Sequence, residues 1–300
     1  MGDDMDIGII GAGKVGCSMG KYMKEQGLSV AGYFSRHRQS SEEAGTFTKT
    51  KVFEYLEDMI QECDILCIAT PDDVIGNVWE KLRQIADLDV SPLPFHHKII
   101  CHFSGSLSSE VFSGIEETGA TGCSIHPMYA FSDKFTSYDK LNTVLFTVEG
   151  HEKALAVIEK MFTRMGNRVL KIKPDKKGLY HCSASLVSNF VVGLVWMGLN
   201  MLRRCGISEE MGWELFAPLI RSNIDTMLRD GCEAALTGPI ERDDCQTVKN
   251  HLQILSREYG EESTEKMLYQ LLGSQVLSVA EDKNPQRNYN EMKSFFEVTE

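Results

Sequence analysis

The sequence lacks the features that would place it in an oxidising compartment or on a polyanion. Its 9 cysteines are odd in number and contain no C-x-x-C pair, which argues against a disulfide framework and against a zinc ribbon. Cys101-His102 and Cys123 with His126 sit at the ends of apolar runs, where cysteine is an ordinary buried filler, so no metal centre is expected. Basic residues are in deficit, with 31 Lys plus Arg against 43 Asp plus Glu and a net charge of −12, which leaves no general attraction for nucleic acid. The opening Met-Gly-Asp-Asp-Met-Asp has neither the basic start nor the apolar core of a secretion signal, and a cytoplasmic location is expected. With 8 Pro, 42% hydrophobic and 25% charged residues, the composition is that of a globular protein, and 300 residues suit about two domains.

What is present changes character along the chain. The first part alternates short apolar runs with amphipathic stretches: strands at 6–10, 28–35, 64–70 and 98–103, with helices at 14–26, 55–61 and from Asp72, as N-cap, to about 86. Strands without internal polar alternation, separated by helices, predict a doubly wound parallel sheet covered on both faces. Three more strands are expected at 123–126, 143–148 and 168–172, with a helix at 152–165. Beyond Pro174 strands vanish and helices are expected at 177–204, 208–230, 244–258 and 262–281, followed by a frayed polar tail. The reading is therefore an α/β domain over 1–173 and an all-α domain over 174–300.

Residues 178–202 contain no Asp, Glu, Lys or Arg, a length that raises the question of a membrane span. His181, Ser185 and Asn189 recur at four-residue intervals and mark one polar stripe on an otherwise apolar helix. Such a helix suits the centre of a helical domain or of a homodimer, with the stripe facing a site, and no membrane contact is expected.

Gly11-Ala12-Gly13-Lys14-Val15-Gly16 follows the first strand and opens the first helix, the G-x-G-x-x-G spacing of a dinucleotide site. The first glycine permits the tight turn, the second lets a pyrophosphate approach the backbone, and the third lets helix and strand pack closely. The end of the second strand reads Ser35-Arg36-His37-Arg38, with two guanidinium groups where an NAD site carries a carboxylate. NADP is expected, with NAD as the other possibility. Thr70-Pro71 and Ser104-Gly105, at the C-terminal ends of later strands, are expected to border the ribose and nicotinamide.

The segments GAGKVG, CIATPDD, HFSGSLSSEVF, SIHPMYAF, YHCSASLVSNF and LTGPIERDD, in this order, resemble a family of Rossmann-like proteins with a C-terminal DUF2520 domain. The resemblance covers nearly the whole chain. It implies kinship with β-hydroxyacid dehydrogenases, ketopantoate reductases, pyrroline-carboxylate reductases and F420-dependent NADP reductases, hence an NADP-dependent oxidoreductase. The small carbonyl, imine or hydroxy substrate is expected between the domains, and the helical domain is expected to dimerise. β-Hydroxyacid dehydrogenases place a catalytic Lys four residues before an Asn on the first long helix; this chain has His181, Ser185 and Asn189 there, with Lys177 one turn earlier. His181 or His126 would supply the proton, since an imidazole titrating near pH 6.5 works in either direction, and Ser185 and Asn189 would bond a substrate oxygen. Asn223 and Thr237-Gly238-Pro239 belong to the family-like part of the helical domain. The missing lysine also admits a different class of function, a non-catalytic dinucleotide-binding sensor.

Overall fold

A computed structural model describes residues 5–88 and 95–297 of the chain. Met1 to Asp4, on which much of the reading of the N-terminus rests, and the final three positions of the polar tail lie outside the described residues. Eight strands, β1 (Ile7–Ile10), β2 (Val30–Phe34), β3 (Lys51–Val52), β4 (Ile65–Ile68), β5 (Ile99–His102), β6 (Thr121–Pro127), β7 (Phe146–Gly150) and β8 (Val169–Lys171), form one sheet in the order β3-β2-β1-β4-β5-β6-β7-β8. β1 to β6 are mutually parallel; β7 runs antiparallel to β6, and β8 is parallel to β7.

Every residue of β1, β4 and β5 is buried, because helices cover both faces. On one face Ile9, Cys67 and Cys101 pack with α1 (Lys14–Glu25), α2 (Arg38–Thr48) and α5 (Glu152–Arg164), which contribute Met19, Tyr22, Ala44, Leu155 and Phe162. On the other, Ile10, Leu66, Ile68 and Ile100 pack with α3 (Leu56–Glu62) and α4 (Asp72–Leu88) through Met59, Ile60, Ile75, Trp79 and Leu82. Successive side chains on one strand go to opposite cores, as the pleat requires. The doubly wound sheet agrees with the sequence reading, except that α2 and β3 were not expected.

After β8 the described residues hold helices only: α6 (Lys177–Val187), α7 (Asn189–Arg204), α8 (Glu209–Asp230), α9 (Cys232–Ala235), α10 (Cys245–Tyr259), α11 (Thr264–Lys283) and α12 (Asn290–Ser294). Two compact units result, Met1–Phe190 and Val191–Glu300, because α6 belongs with the sheet. The single helix expected over 177–204 is interrupted at Ser188, where φ −119° and ψ −77° leave helical geometry. Pro174–Arg204 is long and apolar enough to cross a membrane by length and composition alone. Leu199 is buried, but most of the segment's apolar side chains are not in the core of the single chain: Val187, Val192 and Trp196 are exposed. In the second unit Ser208 and Asp244 cap α8 and α10 as their positions before apolar-periodic runs predict. The tail is not frayed: Tyr289, Met292 and Phe296 join Val248, Leu277 and Ala280 in a buried cluster, and the Tyr289 hydroxyl donates to the Glu241 carbonyl at 2.7 Å.

Candidate nucleotide and catalytic site

The C-terminal ends of β1, β2 and β4 lie on one edge of the sheet, and there a cavity of about 390 Å³ opens. Gly11 to Gly13 form its floor. Gly11 has φ +108°, a conformation that L side chains rarely adopt, and its N–H bonds the Phe34 carbonyl at 2.8 Å. A Cβ at Gly16 would lie 2.1 Å from the Gly11 carbonyl oxygen, so helix and strand pack closely only with glycine there. A Cβ at Gly13 would meet nothing within 4 Å, which leaves open space above the start of α1, where unpaired N–H groups attract an anion. No acidic side chain occupies the first turn of α1. Of the remaining loop residues Ala12 lines the cavity, whereas Lys14, Val15 and Gly16 do not; Val15 packs on the core instead.

Thr70 and Pro71 line the same cavity, and the Thr70 hydroxyl is buried there without a hydrogen-bond partner. An orphaned buried hydroxyl is uncommon in a folded protein and fits a group that accepts its hydrogen bond when a ligand is bound. Leu56, Val74 and Val78 form an apolar wall. Ser35, Arg36 and His37 line the rim, and so does Lys81, which the sequence reading missed. Arg38 does not reach the cavity. It is the first residue of α2, with its guanidinium 2.8 Å from Glu42 and 3.5 Å from Glu54. Arg36 has no ion pair among the described residues and remains available to a phosphate.

A second cluster lies farther along the same edge, at the ends of β5 and β6. Asp72, expected as an N-cap, instead accepts from the Ser104 and Ser106 hydroxyls at 2.8 and 2.6 Å. Neither Ser104 nor Gly105 lines the cavity. Gly105 lies against two imidazoles: a Cβ there would be 2.5 Å from His181 Nδ1 and 2.7 Å from His126 Nε2. His126 Nδ1 is 2.8 Å from the Tyr180 hydroxyl. Beneath them Lys177, 1% exposed, contacts the Ser124 hydroxyl and stands 3.7 Å from Glu149, whose carboxylate also accepts from the Ser109 N–H and hydroxyl at 2.8 Å each. The structure therefore brings His126 and His181 together. Ser185 and Asn189 do not join them in a bonded network; Asn189 opens α7 beyond the Ser188 break and is exposed.

The sequence matches a Rossmann-like domain over residues 2–127 and the domain of unknown function DUF2520 over residues 144–276. The chain is a Rossmann-like protein with a C-terminal DUF2520 domain. Among solved structures, it is similar to Thermotoga maritima protein TM1727 at 23% identity and a TM-score of 0.71, covering 93% of this chain and 99% of that one. A Bacteroides fragilis protein provisionally named an NADP oxidoreductase follows at 19% identity and a TM-score of 0.68, with 93% and 100% covered. A reductive aminase from Aspergillus terreus, solved with NADPH, has 15% identity and a TM-score of 0.63 over 98% and 100% of the two chains. At these identities the likeness establishes the shared fold. No curated protein matches the chain.

The electrostatics of this DUF2520 protein's histidine cluster differ from the sequence reading. Burial, then the Lys177 charge, then His181 push His126 down to about 4. Burial and Lys177 push His102 down to about 3. His102 is fully buried, and it accepts from the Ser104 N–H at Nδ1, which leaves its Nε2–H to donate to the Ser108 carbonyl. Both imidazoles are therefore neutral near pH 7. Because their folded-state values lie below the ordinary 6.5, the unfolded chain binds more protons between about 4 and 6.5. Stability is thus full above pH 6.5 and falls as the pH drops through that window, by about 1.4 kcal/mol per pH unit for each histidine. Urea midpoints between pH 7 and 4.5 are expected to drop less steeply in His102→Asn than in the parent chain. Equal slopes in the two proteins would contradict the burial of a neutral His102.

Proposed function

We propose that this protein is an NADP-dependent oxidoreductase acting on a small carbonyl, imine or hydroxy compound. The observation that carries the reading is the combination, in one cavity, of an open cradle above Gly13 and the orphaned Thr70 hydroxyl. The backbone N–H groups at the start of α1 would hold the pyrophosphate, the Leu56, Val74 and Val78 wall the adenine, and Arg36 a 2′-phosphate. A nicotinamide cofactor, when bound, supplies or accepts a hydride. His126 and His181 would bind the reacting substrate oxygen or nitrogen, and the buried Lys177–Glu149 pair would fix the base of the cluster. Solved proteins of the same fold, named as reductases and holding NADP or NADPH, support the cofactor assignment by analogy.

The test is a comparison of NADPH and NADH dissociation constants by fluorescence titration. NADPH is expected to bind at least tenfold more tightly. Arg36→Ala should weaken NADPH by about 10- to 100-fold, the loss of about 1.5–3 kcal/mol from a charged hydrogen bond, and leave NADH within twofold. A parent protein that prefers NADH removes the NADP assignment.

A homodimer through the helical unit would cover the apolar side chains it exposes, among them Trp196 at 55%, Leu219 at 65% and Leu228 at 79%. Light scattering is expected to give twice the 33.7 kDa chain mass, and Trp196→Asp to shift the protein toward monomer. A monomeric parent protein at micromolar concentration would refute the dimer.

A further inference from the structure

Two imidazole nitrogens converge on one point above Gly105, within hydrogen-bond reach of both, and the absence of a side chain at 105 keeps that point clear. His181 Nδ1 is buried with no hydrogen-bond partner. The rings of His126 and His181 stand nearly perpendicular, at 84°, with centroids 6.0 Å apart. On its far side His126 is fixed by Tyr180, whose ring stands at 87° to it and whose hydroxyl meets Nδ1 at 2.8 Å. Besides His126, that hydroxyl meets the Met128 sulfur at 3.8 Å, a weak acceptor, and interacts with the Thr147 hydroxyl, which lowers the phenol and so acts toward it as a donor.

We infer that Tyr180 is a positioning residue that donates its phenolic proton to His126 Nδ1, so that His126 presents an Nε2–H which, with His181 Nδ1, grips one substrate heteroatom over Gly105. This rests on the oxidoreductase reading above and specifies how its substrate is held. Burial raises the Tyr180 phenol above its ordinary value, so the hydroxyl carries its proton near pH 7, and the weak Met128 acceptor leaves that proton to be donated to Nδ1. Burial, then Lys177 and His181 on α6, hold His126 in its neutral form, and Asp72 on α4 opposes them weakly. A neutral imidazole fixed in one tautomer polarises a carbonyl or imine by hydrogen bonding, in the manner of the neutral electrophilic histidine described for triosephosphate isomerase. The proton that accompanies reduction moves from His126 Nε2 to the substrate heteroatom. Nδ1 accepts the Tyr180 proton as this occurs; once product leaves, Nδ1 returns that proton to the phenolate while Nε2 takes one from water, which restores the Nε2–H tautomer. No imidazolium forms, and the hydride would come from the nicotinamide cofactor.

The experiment records two-bond proton–nitrogen NMR correlations from histidine-labelled full chain between pH 5.5 and 8, with the His126 signals assigned by their loss in His126→Gln. The expected result is an Nε2–H tautomer for His126, unchanged across the range, and a mixture of tautomers in Tyr180→Phe. An Nδ1–H tautomer, or one indifferent to Tyr180→Phe, overturns the inference. Gly105→Ala is expected to displace both the His126 and His181 signals while changing NADPH affinity less than twofold. Signals left in place would show that the nitrogens do not converge there. NADPH titration of the same samples separates the two levels: failure of the parent chain to bind NADPH sinks the proposed function, whereas the tautomer result stands or falls independently.

Discussion

Gly13→Asp is expected to abolish NADPH binding, weakening it more than 100-fold, in a protein that melts within about 2 °C of the parent. The new Cβ enters space in which nothing lies within 4 Å, so the fold has no reason to change. The carboxylate would stand at the N-terminus of α1, where it satisfies the same N–H groups and repels the pyrophosphate. Two like charges about 4 Å apart at an effective dielectric constant near 20 repel by about 4 kcal/mol, more than the 2.8 kcal/mol that a 100-fold loss represents. Gly16→Val makes the contrasting case. Its Cβ would fall 2.1 Å from the Gly11 oxygen and 2.9 Å from Ala69 Cβ, so the backbone must move and the melting temperature should drop. Fluorescence titration and thermal melts of the two variants separate a ligand cradle from a packing contact. Unaltered NADPH affinity in Gly13→Asp would remove the glycine loop as the site.

The nucleotide half of the site was legible in the sequence because its determinants are local. A strand, three glycines at fixed spacing and the start of a helix lie within ten residues, and each glycine answers one steric demand. Lys81 was within reach of the same reasoning: with Val74 and Val78 it repeats at helical spacing on the face of α4 that lines the cavity. Arg38 was misplaced because α2, poor in large apolar residues, has little periodic signal, and its start converts an expected loop cation into the partner of Glu42 and Glu54. The histidine cluster was half legible. His126 and His181 stood out by residue type, and Lys177 and Tyr180 share α6 with His181, yet Glu149 comes from β7, brought to them by the antiparallel return of β7 against β6. Glu149 pairs with Ser124 in that ladder, and no spacing in the sequence encodes the pairing. Glu149 directly follows the run Leu145 to Val148 and precedes Gly150, at the end of the expected strand, where a carboxylate is ordinarily solvated and gives no sign of its burial.

That buried carboxylate makes Lys177→Met the substitution with the largest expected cost to the fold. Lys177 and Glu149 are each 1% exposed, and removing the ammonium leaves Glu149 charged, buried and held only by Ser109. Losing one partner of a buried pair typically costs about 3–5 kcal/mol. Glu149→Gln in the same chain removes the stranded charge and keeps an acceptor for Ser109, so the double variant should be more stable than Lys177→Met alone. The pH dependence gives a second, independent sign. Burial outweighs the pull of Glu149 and brings Lys177 down to about 8 from 10.5, so the unfolded chain binds more protons between those values. This contribution raises stability as the pH climbs from 8 to 10.5 and is absent in both Lys177→Met proteins. Urea unfolding at pH 7, 8.5 and 10 would measure both effects. A double variant less stable than the single, or a parent chain whose stability rises no more steeply between pH 8.5 and 10 than that of the variants, would mean that Lys177 is held by packing alone and that its charge does not govern the histidines above it.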